Sequence, residues 1–306
     1  MNMLTDPMRF GSGQAVARIE DEGLLRGQGK FTDDVRPANQ AQLVFMRSPY
    51  PHANITAIDA SQARAMPGVL LVLTGADLVA AGVKPLAGAG GFKRPDGSPC
   101  ASPDRRALAH ERVRFVGEAV AAVVATTLQQ AKDAAEAIQV DYHDLPMAVA
   151  MDDALAPGAP ALCEAAPDNI CAESRYGDAP ACASAFAQAA HVVALAITNQ
   201  RLAAVTLEPR TVLAEFDAAS QRLTLRMCSQ MPTGARAAVC DALGLQTEQV
   251  RVLVGDVGGG FGMKTGAYPE DVVTAYCARA LQSPVKWVAE RGEEFLSTTH
   301  GRDVQS

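Results

Sequence analysis

Apolar residues in the first half of the chain fall into short runs that alternate with helical patterns. Four runs are rich in β-branched or aromatic residues and predict strands, at residues 43–46, 69–73, 113–116 and 119–125. Residues 127–138 are rich in alanine and begin with a capping threonine, which predicts a helix leading into a further strand at 140–142. This half of the chain is therefore predicted to be a mixed α/β unit.

The second half contains more strand-like runs. Strands are predicted at residues 192–198, 211–216, 223–228, 250–254 and 285–288. In the run at 223–228 apolar and polar residues alternate, so one of its faces should be buried. Two helices separate the later strands: residues 234–243, with Thr233 as the predicted cap and Gly244 at the end, and a segment that begins at Pro269.

Two stretches interrupt this order. Residues 83–103 hold many glycines and prolines, which predicts a surface loop, and residues 147–167 carry prolines among short side chains, which is typical of a linker. The chain is thus predicted to be an α/β (α+β) protein with an N-terminal tail at 1–17, a first domain at 18–146 and a second at 168–306.

Composition narrows the classes of function. Of the 306 residues, 48% are apolar, enough for a substantial core. The formal charge of −7 and the lack of a long basic run give no electrostatic surface for nucleic acid, so no nucleic-acid partner is expected. Because the sequence has neither a long uncharged apolar run nor the apolar core of a signal peptide near its start, we expect a cytoplasmic protein without a membrane span.

Cysteine and histidine spacing gives no metal site. The seven cysteines are widely spread and contain no C-x-x-C pair, and the five histidines are scattered. We interpret the cysteines as reduced, small apolar residues and assign the histidines no role. No residue of the chain is predicted to ligate a metal directly.

The most unusual segment is 256–264, with the sequence DVGGGFGMK, directly after an apolar run. Glycines let backbone N–H groups approach a ligand closely. Neither register of G-x-G-x-x-G is complete, and the phosphate-loop pattern over Gly258–Thr265 has Met263 where a glycine is needed. A nucleotide site that uses this imperfect pattern and a turn without any ligand both remain open from these residues alone.

Several segments, in order, resemble the xanthine dehydrogenase and aldehyde oxidase family, the molybdenum hydroxylases. They are Gly27–Asp34, Arg114–Ala121, Val140–Pro146, Leu207–Arg210, Ser229–Gln230, Val257–Lys264, Pro284–Trp287 and His300–Asp303. The resemblance covers nearly the whole chain and matches the N-terminal part of the molybdopterin-binding large subunit. It implies an α/β hammerhead domain at 18–146, followed by the first portion of the molybdopterin-binding α+β domain at 168–306.

The resemblance also implies the cofactor-binding residues. Gln230 matches the glutamine whose amide donates a hydrogen bond to an oxygen ligand of molybdenum. Gly260, Phe261 and Gly262 match the loop whose backbone N–H groups face another oxygen ligand. The metal itself is then held by the pterin dithiolene, which agrees with the cysteine spacing. Nearby charged residues are interpreted as structural, with Glu208 and Arg210 as an ion pair and Lys264 as a surface cation.

By the same resemblance, the reaction is hydroxylation of an electron-poor carbon with water as the oxygen source. We expect an N-heteroaromatic substrate, with aldehyde oxidation as the alternative. Purine-oxidising members carry a glutamate after the lysine of the loop motif, so Thr265 argues against xanthine. The family's general-base glutamate lies in a later segment, so no catalytic residue is expected in this chain.

Since the resemblance places the general base outside this chain, further subunits are expected. We expect a second molybdopterin-binding subunit to carry the C-terminal half and the base; the alternative is that the sequence is a truncated large subunit. Partner subunits would carry 2Fe–2S clusters and FAD or haem. The pterin is expected in its cytosine dinucleotide form. A non-catalytic scaffold subunit is the alternative from another functional class.

Overall fold

The computed structural model describes residues 18–88 and 91–306, so the tail predicted at 1–17 lies outside the described residues. The strands are β1 (Ala41–Arg47), β2 (Ala53–Asp59), β3 (Val69–Thr74), β4 (Arg112–Val113), β5 (Ala119–Ala125), β6 (Gln139–Asp144), β7 (Thr198–Asn199), β8 (Thr211–Asp217), β9 (Arg222–Met227), β10 (Val250–Leu253), β11 (Val285–Val288) and β12 (Val304–Gln305). The helices are α1 (Asp21–Leu25), α2 (Ser61–Ala65), α3 (Gly75–Ala80), α4 (Leu128–Glu136), α5 (Met151–Leu155), α6 (Ala179–Gln188), α7 (Pro232–Leu243), α8 (Pro269–Leu281) and α9 (Arg291–Ser297). This mixture confirms the predicted α/β class.

A seven-stranded mixed sheet forms the centre of the molecule, in the order β10-β9-β8-β11-β1-β5-β3. Strands β1 and β11 pair in parallel, with Ala41 opposite Val285, and this pairing joins strands from the two halves of the chain. One sheet therefore contains strands from both sides of the segment 147–167, which was predicted as a linker. A separate three-stranded sheet, β4-β2-β6, lies beside it.

The core sits where helices cover the sheet. All seven residues of β5 are buried, as expected for a central strand of alanine and valine. In β9 the buried residues are Leu223, Leu225 and Met227, which confirms the predicted alternation. Val272 and Val273 of α8 belong to the same apolar cluster. The one tryptophan, Trp287, packs edge-on against Phe45 across β11 and β1, with ring centroids 5.8 Å apart.

Three sequence-based expectations are wrong in detail. Of the strand predicted at 192–198 only Thr198 lies in a strand, the two-residue β7, whose only strand partner among the described residues is the equally short β12. The strand predicted at 113–116 ends at Val113, and a turn with φ +96° at Gly117 precedes β5. Helix α7 begins at Pro232 without a side-chain cap, although it ends at a left-handed Gly244 as predicted.

The loop prediction for 83–103 is confirmed for its described part, which holds no helix and only isolated β-bridges. None of the helices formed by the described residues has the length and apolar character that a membrane crossing requires.

Candidate functional site

The topology of the sheet brings three separated segments to one edge. Strands β9 and β10 run in parallel, so the residues that follow each of them lie at the same end. Strand β8 is antiparallel to β9, so the residues that precede β8 lie there too. These segments contain Gln230, after β9, the glycine loop 256–264, after β10, and Glu208, before β8.

The glycine loop has a left-handed backbone at three of its residues. The φ angles are +100° at Gly259, +48° at Phe261 and +85° at Gly262. Only glycine adopts such angles without strain, and positive φ is uncommon for a phenylalanine. The loop is thus held in one shape by its surroundings, ahead of the helix that begins at Pro269.

Gln230 is locked against this loop. Its Oε1 accepts hydrogen bonds from the backbone N–H groups of Gly262 at 3.1 Å and Lys264 at 3.2 Å. The backbone N–H of Gln230 donates to the Lys264 carbonyl at 2.8 Å. Because two N–H donors can be satisfied only by the amide oxygen, the orientation of the amide is fixed and Nε2 is left as a donor.

Gly260 makes this contact possible. A Cβ at this position would lie 2.4 Å from Cδ of Gln230, inside the range that real Cβ atoms avoid. The structure therefore brings Gln230 together with Gly260 and Gly262, as the resemblance implied. One detail differs: the Gly262 N–H is bonded to Gln230, whereas the Phe261 N–H has no partner within the described part of the chain. The Phe261 side chain is 77% exposed beside it.

A buried ion pair fixes both ends of the loop. The Nζ of Lys264 lies 3.0 Å from Oε2 of Glu208, and the Gly258 N–H donates to the same oxygen at 2.9 Å. The Lys264 side chain is only 1% exposed. The expectation of a Glu208–Arg210 pair with a surface Lys264 was therefore wrong. It failed because the sequence does not show which charges the sheet edge brings together.

This pairing also bears on the nucleotide-binding alternative. A phosphate loop needs a lysine that reaches the ligand, but Nζ of Lys264 is enclosed by Glu208 Oε2 and the Glu208 carbonyl, 2.9 Å away. The Met263 side chain, at the position where a phosphate loop has glycine, is buried. Both features argue against a phosphate site at Gly258–Thr265.

Arg210 belongs to a second buried network, beneath the start of α8. It pairs with Glu270, which also accepts a hydrogen bond from Arg47 at 2.8 Å. Burial alone would raise the pKa of Glu270, but the charges of Arg210 and Arg47 outweigh it and lower the pKa to about 2. Burial raises the pKa of the neighbouring Asp271 to about 6, although its carboxylate accepts the Tyr268 N–H. Sequence spacing carries no signal for this network.

The chemistry of the site is that of neutral donors. Burial raises the pKa of the Cys228 thiol, two residues before Gln230, to about 11, so it stays protonated near neutral pH. The described residues hold no group of three or more His, Cys, Asp or Glu side chains that could bind a metal. Amide and backbone N–H groups held beside a glycine suit a ligand that presents partly negative oxygens, and they do not suit a bare cation.

The sequence matches two family profiles. One, described as the molybdopterin cofactor-binding domain, matches residues 162–306. The other, described as the aldehyde oxidase and xanthine dehydrogenase a/b hammerhead domain, matches residues 26–146. Together they span both halves of the seven-stranded sheet.

Three known proteins show the extent of the similarity. The nicotine 6-hydroxylase large subunit of Paenarthrobacter nicotinovorans is 35% identical, over 95% of this chain and 35% of that subunit. The nicotinate dehydrogenase large molybdopterin subunit of Eubacterium barkeri is 29% identical, over 92% of this chain and 62% of that subunit. The structure of reconstituted CO dehydrogenase from Oligotropha carboxidovorans matches with a TM-score of 0.84 at 34% identity, over 95% of this chain and 36% of that chain.

The chain thus spans about a third of the length of two of these proteins and under two thirds of the other.

Proposed function

Because the chain belongs to the xanthine dehydrogenase and aldehyde oxidase family and corresponds to the N-terminal part of its molybdopterin-binding large subunit, we propose that it forms one side of the molybdenum-cofactor site of a hydroxylase. The observation that carries this proposal is the locked amide of Gln230. Its oxygen is occupied by two backbone donors of the glycine loop, so its NH2 group is presented as a fixed donor.

The residues of the site have distinct roles in this proposal. Gln230 Nε2 and the Phe261 N–H donate to oxygens of the cofactor, and Gly260 leaves room for the Gln230 side chain. Since both donors are held by the fold before the ligand arrives, little reorganisation is needed. When bound, the molybdenum cofactor supplies the centre that accepts two electrons from the substrate carbon. The chain's own part is to hold and orient that group.

The proposed substrate is an N-heteroaromatic compound that is hydroxylated at an electron-poor carbon with oxygen from water. The names of two relatives, nicotine 6-hydroxylase and nicotinate dehydrogenase, support this class, whereas CO dehydrogenase shows that the fold also serves other substrates. Thr265 adds a neutral hydroxyl that donates to the Gly262 carbonyl at 2.9 Å. Position 265 therefore presents no carboxylate to a purine. Aldehyde oxidation is the alternative.

The remaining parts of the proposal concern the assembly. The general-base glutamate would come from a second molybdopterin-binding subunit, and 2Fe–2S clusters with FAD or haem would carry electrons away on other subunits. The pterin is proposed to be the cytosine dinucleotide form. A cytoplasmic location stays a prediction from the sequence.

Purification of the native complex tests the proposal. We expect molybdenum and pterin in stoichiometric amounts, and a fall in turnover of about 10²-fold in Gln230→Ala, since one preorganised donor is lost. Gln129→Ala, on the exposed side of α4, is the matched control and should behave as the wild type. A complex without molybdenum would favour the scaffold alternative, and full activity of Gln230→Ala would remove the proposed role of this residue.

A further inference from the structure

Tyr268, the residue before helix α8, is a buried tyrosine whose hydroxyl contacts the glycine loop. The hydroxyl donates to the carbonyl oxygen of Met263 at 2.6 Å, and only 4% of Tyr268 is exposed. A carbonyl oxygen can only accept a hydrogen bond, so the single hydroxyl proton is committed to the loop. The backbone N–H of Thr299 donates to the same hydroxyl oxygen at 3.2 Å, and the Thr299 Oγ1 lies at the same distance.

The position of this hydroxyl is fixed from several sides. The tyrosine ring packs against Arg210, whose Cζ lies 4.0 Å from the ring centroid, and Arg105 Cζ lies at 5.4 Å. The backbone N–H of Tyr268 donates to the Asp271 carboxylate at 2.8 Å. Because both the ring and the backbone are held, the hydroxyl has one position, and the Met263 carbonyl is held with it.

The contact with Met263 reaches Gln230 through one peptide group. The carbonyl of Met263 and the N–H of Lys264 belong to the same trans peptide and point in opposite directions. That N–H donates to Oε1 of Gln230 at 3.2 Å. Hydrogen bonds therefore run in one direction from Thr299 through Tyr268 and this peptide to the Gln230 amide. Bonds in such a chain polarise one another, so the last donor, Nε2 of Gln230, is strengthened.

We propose that Tyr268 is a positioning residue that acts through Gln230 on the ligand of this site. The inference rests on the proposed function, in which Nε2 of Gln230 donates to an oxygen of the cofactor. The tyrosine hydroxyl has two effects: it fixes the peptide that holds the Gln230 amide, and it strengthens the donor that this amide presents. Neither effect requires Tyr268 to touch the ligand, since its hydroxyl lies on the opposite side of the 263–264 peptide from Gln230.

Tyr268→Phe tests the inference, because it removes the hydroxyl and keeps the ring. The matched control is Tyr276→Phe, since Tyr276 lies on the same helix but packs against the apolar cluster of the main sheet. In the native complex, exchange of the Lys264 amide hydrogen should be at least about tenfold faster in Tyr268→Phe, because the far end of its peptide is released. Circular dichroism should show both variants folded.

The reduction potential of molybdenum, followed by electron paramagnetic resonance of the native complex, gives a second readout. A weaker Gln230 donor leaves more electron density on the ligand oxygen, so the potential should be more negative in Tyr268→Phe than in the wild type. In a Gln230→Ala background the same substitution should leave the potential unchanged, because the group through which Tyr268 acts is gone. Tyr276→Phe should leave it unchanged in both backgrounds.

The outcomes separate this inference from the proposed function. Wild-type exchange at Lys264 in Tyr268→Phe would overturn the inference, as would a potential that shifts equally with and without Gln230. Faster exchange along the whole loop and α8, with a lower midpoint of unfolding, would also contradict it, because it would indicate a merely structural role. A complex without molybdenum, in which Tyr268→Phe still speeds exchange at Lys264 alone, would support the hydrogen-bond chain and contradict the proposed function.

Discussion

At the scale of single residues, Lys264 and Glu208 are buried together and each is the other's only ion-pair partner in the described structure. Lys264→Met would leave the Glu208 carboxylate buried without a counter-charge. We expect a loss of about 3–5 kcal/mol in the free energy of unfolding, measured by denaturant titration. Removing both charges, in Glu208→Gln with Lys264→Met, should restore part of that loss.

The control for this prediction is Lys84→Met. Lys84 pairs with Asp241 at 3.2 Å, but both side chains are 60% exposed. Solvent screens such a pair, so its removal should change the free energy of unfolding by at most about 1 kcal/mol. Equal losses in the Lys264 and Lys84 variants would contradict the importance of the buried pair.

At the scale of elements, the glycine loop between β10 and α8 positions Gln230 for ligand binding. In Gly260→Ala the new methyl group meets Cδ and Oε1 of Gln230, so the side chain has to move and its hydrogen bonds from the Gly262 and Lys264 N–H groups break. We therefore expect a loss of about 1–3 kcal/mol in the free energy of unfolding and a large fall in bound molybdenum. Gly266→Ala, with no atom within 4 Å of the added carbon, is the control. Normal molybdenum content in Gly260→Ala would show that the position of Gln230 is unimportant.

At the scale of the whole molecule, Glu270 connects the two halves of the chain. It lies on α8 and bonds to Arg47 on β1 and to Arg210 ahead of β8. Its pKa falls from 4.5 to about 2 on folding. The stabilisation is therefore fully present above pH 4.5 and is lost as the pH falls toward about 2.

Glu270→Gln should accordingly be destabilised by about 3–5 kcal/mol at pH 7, since the buried Arg210 loses its counter-charge and Arg47 keeps only Glu293. The difference from the wild type should shrink as the pH is lowered from 4.5 to about 2, in unfolding curves recorded at each pH. Asp271, whose pKa is raised to about 6, acts in the opposite sense, destabilising the fold as the pH rises from 3.8 to 6. Asp271 is present in the wild type and in Glu270→Gln alike, so its titration is common to both sets of unfolding curves. Glu136→Gln, an exposed change on α4, should give a difference independent of pH.

The sequence by itself determined most of the elements and the members of the candidate site. The alternation in β9, the proline that begins α8 and the glycine that ends α7 are local signals, and the structure confirms each of them. The glycine loop and Gln230 were likewise identified from the residues and the family resemblance. Local patterns suffice for these features because backbone conformation and strand burial depend on nearby residues.

Only the tertiary structure decided which residues meet. Gln230 and Gly262 lie far apart along the chain and touch because β9 and β10 are parallel neighbours. The partner of Glu208 is Lys264 rather than Arg210, because the residues before β8 and after β10 lie at the same edge of the sheet. The prediction of a strand at 192–198 was wrong because an apolar run forms a strand only where another strand pairs with it. Pairing and charge neutralisation are properties of distant segments in contact, and spacing along the sequence does not encode them.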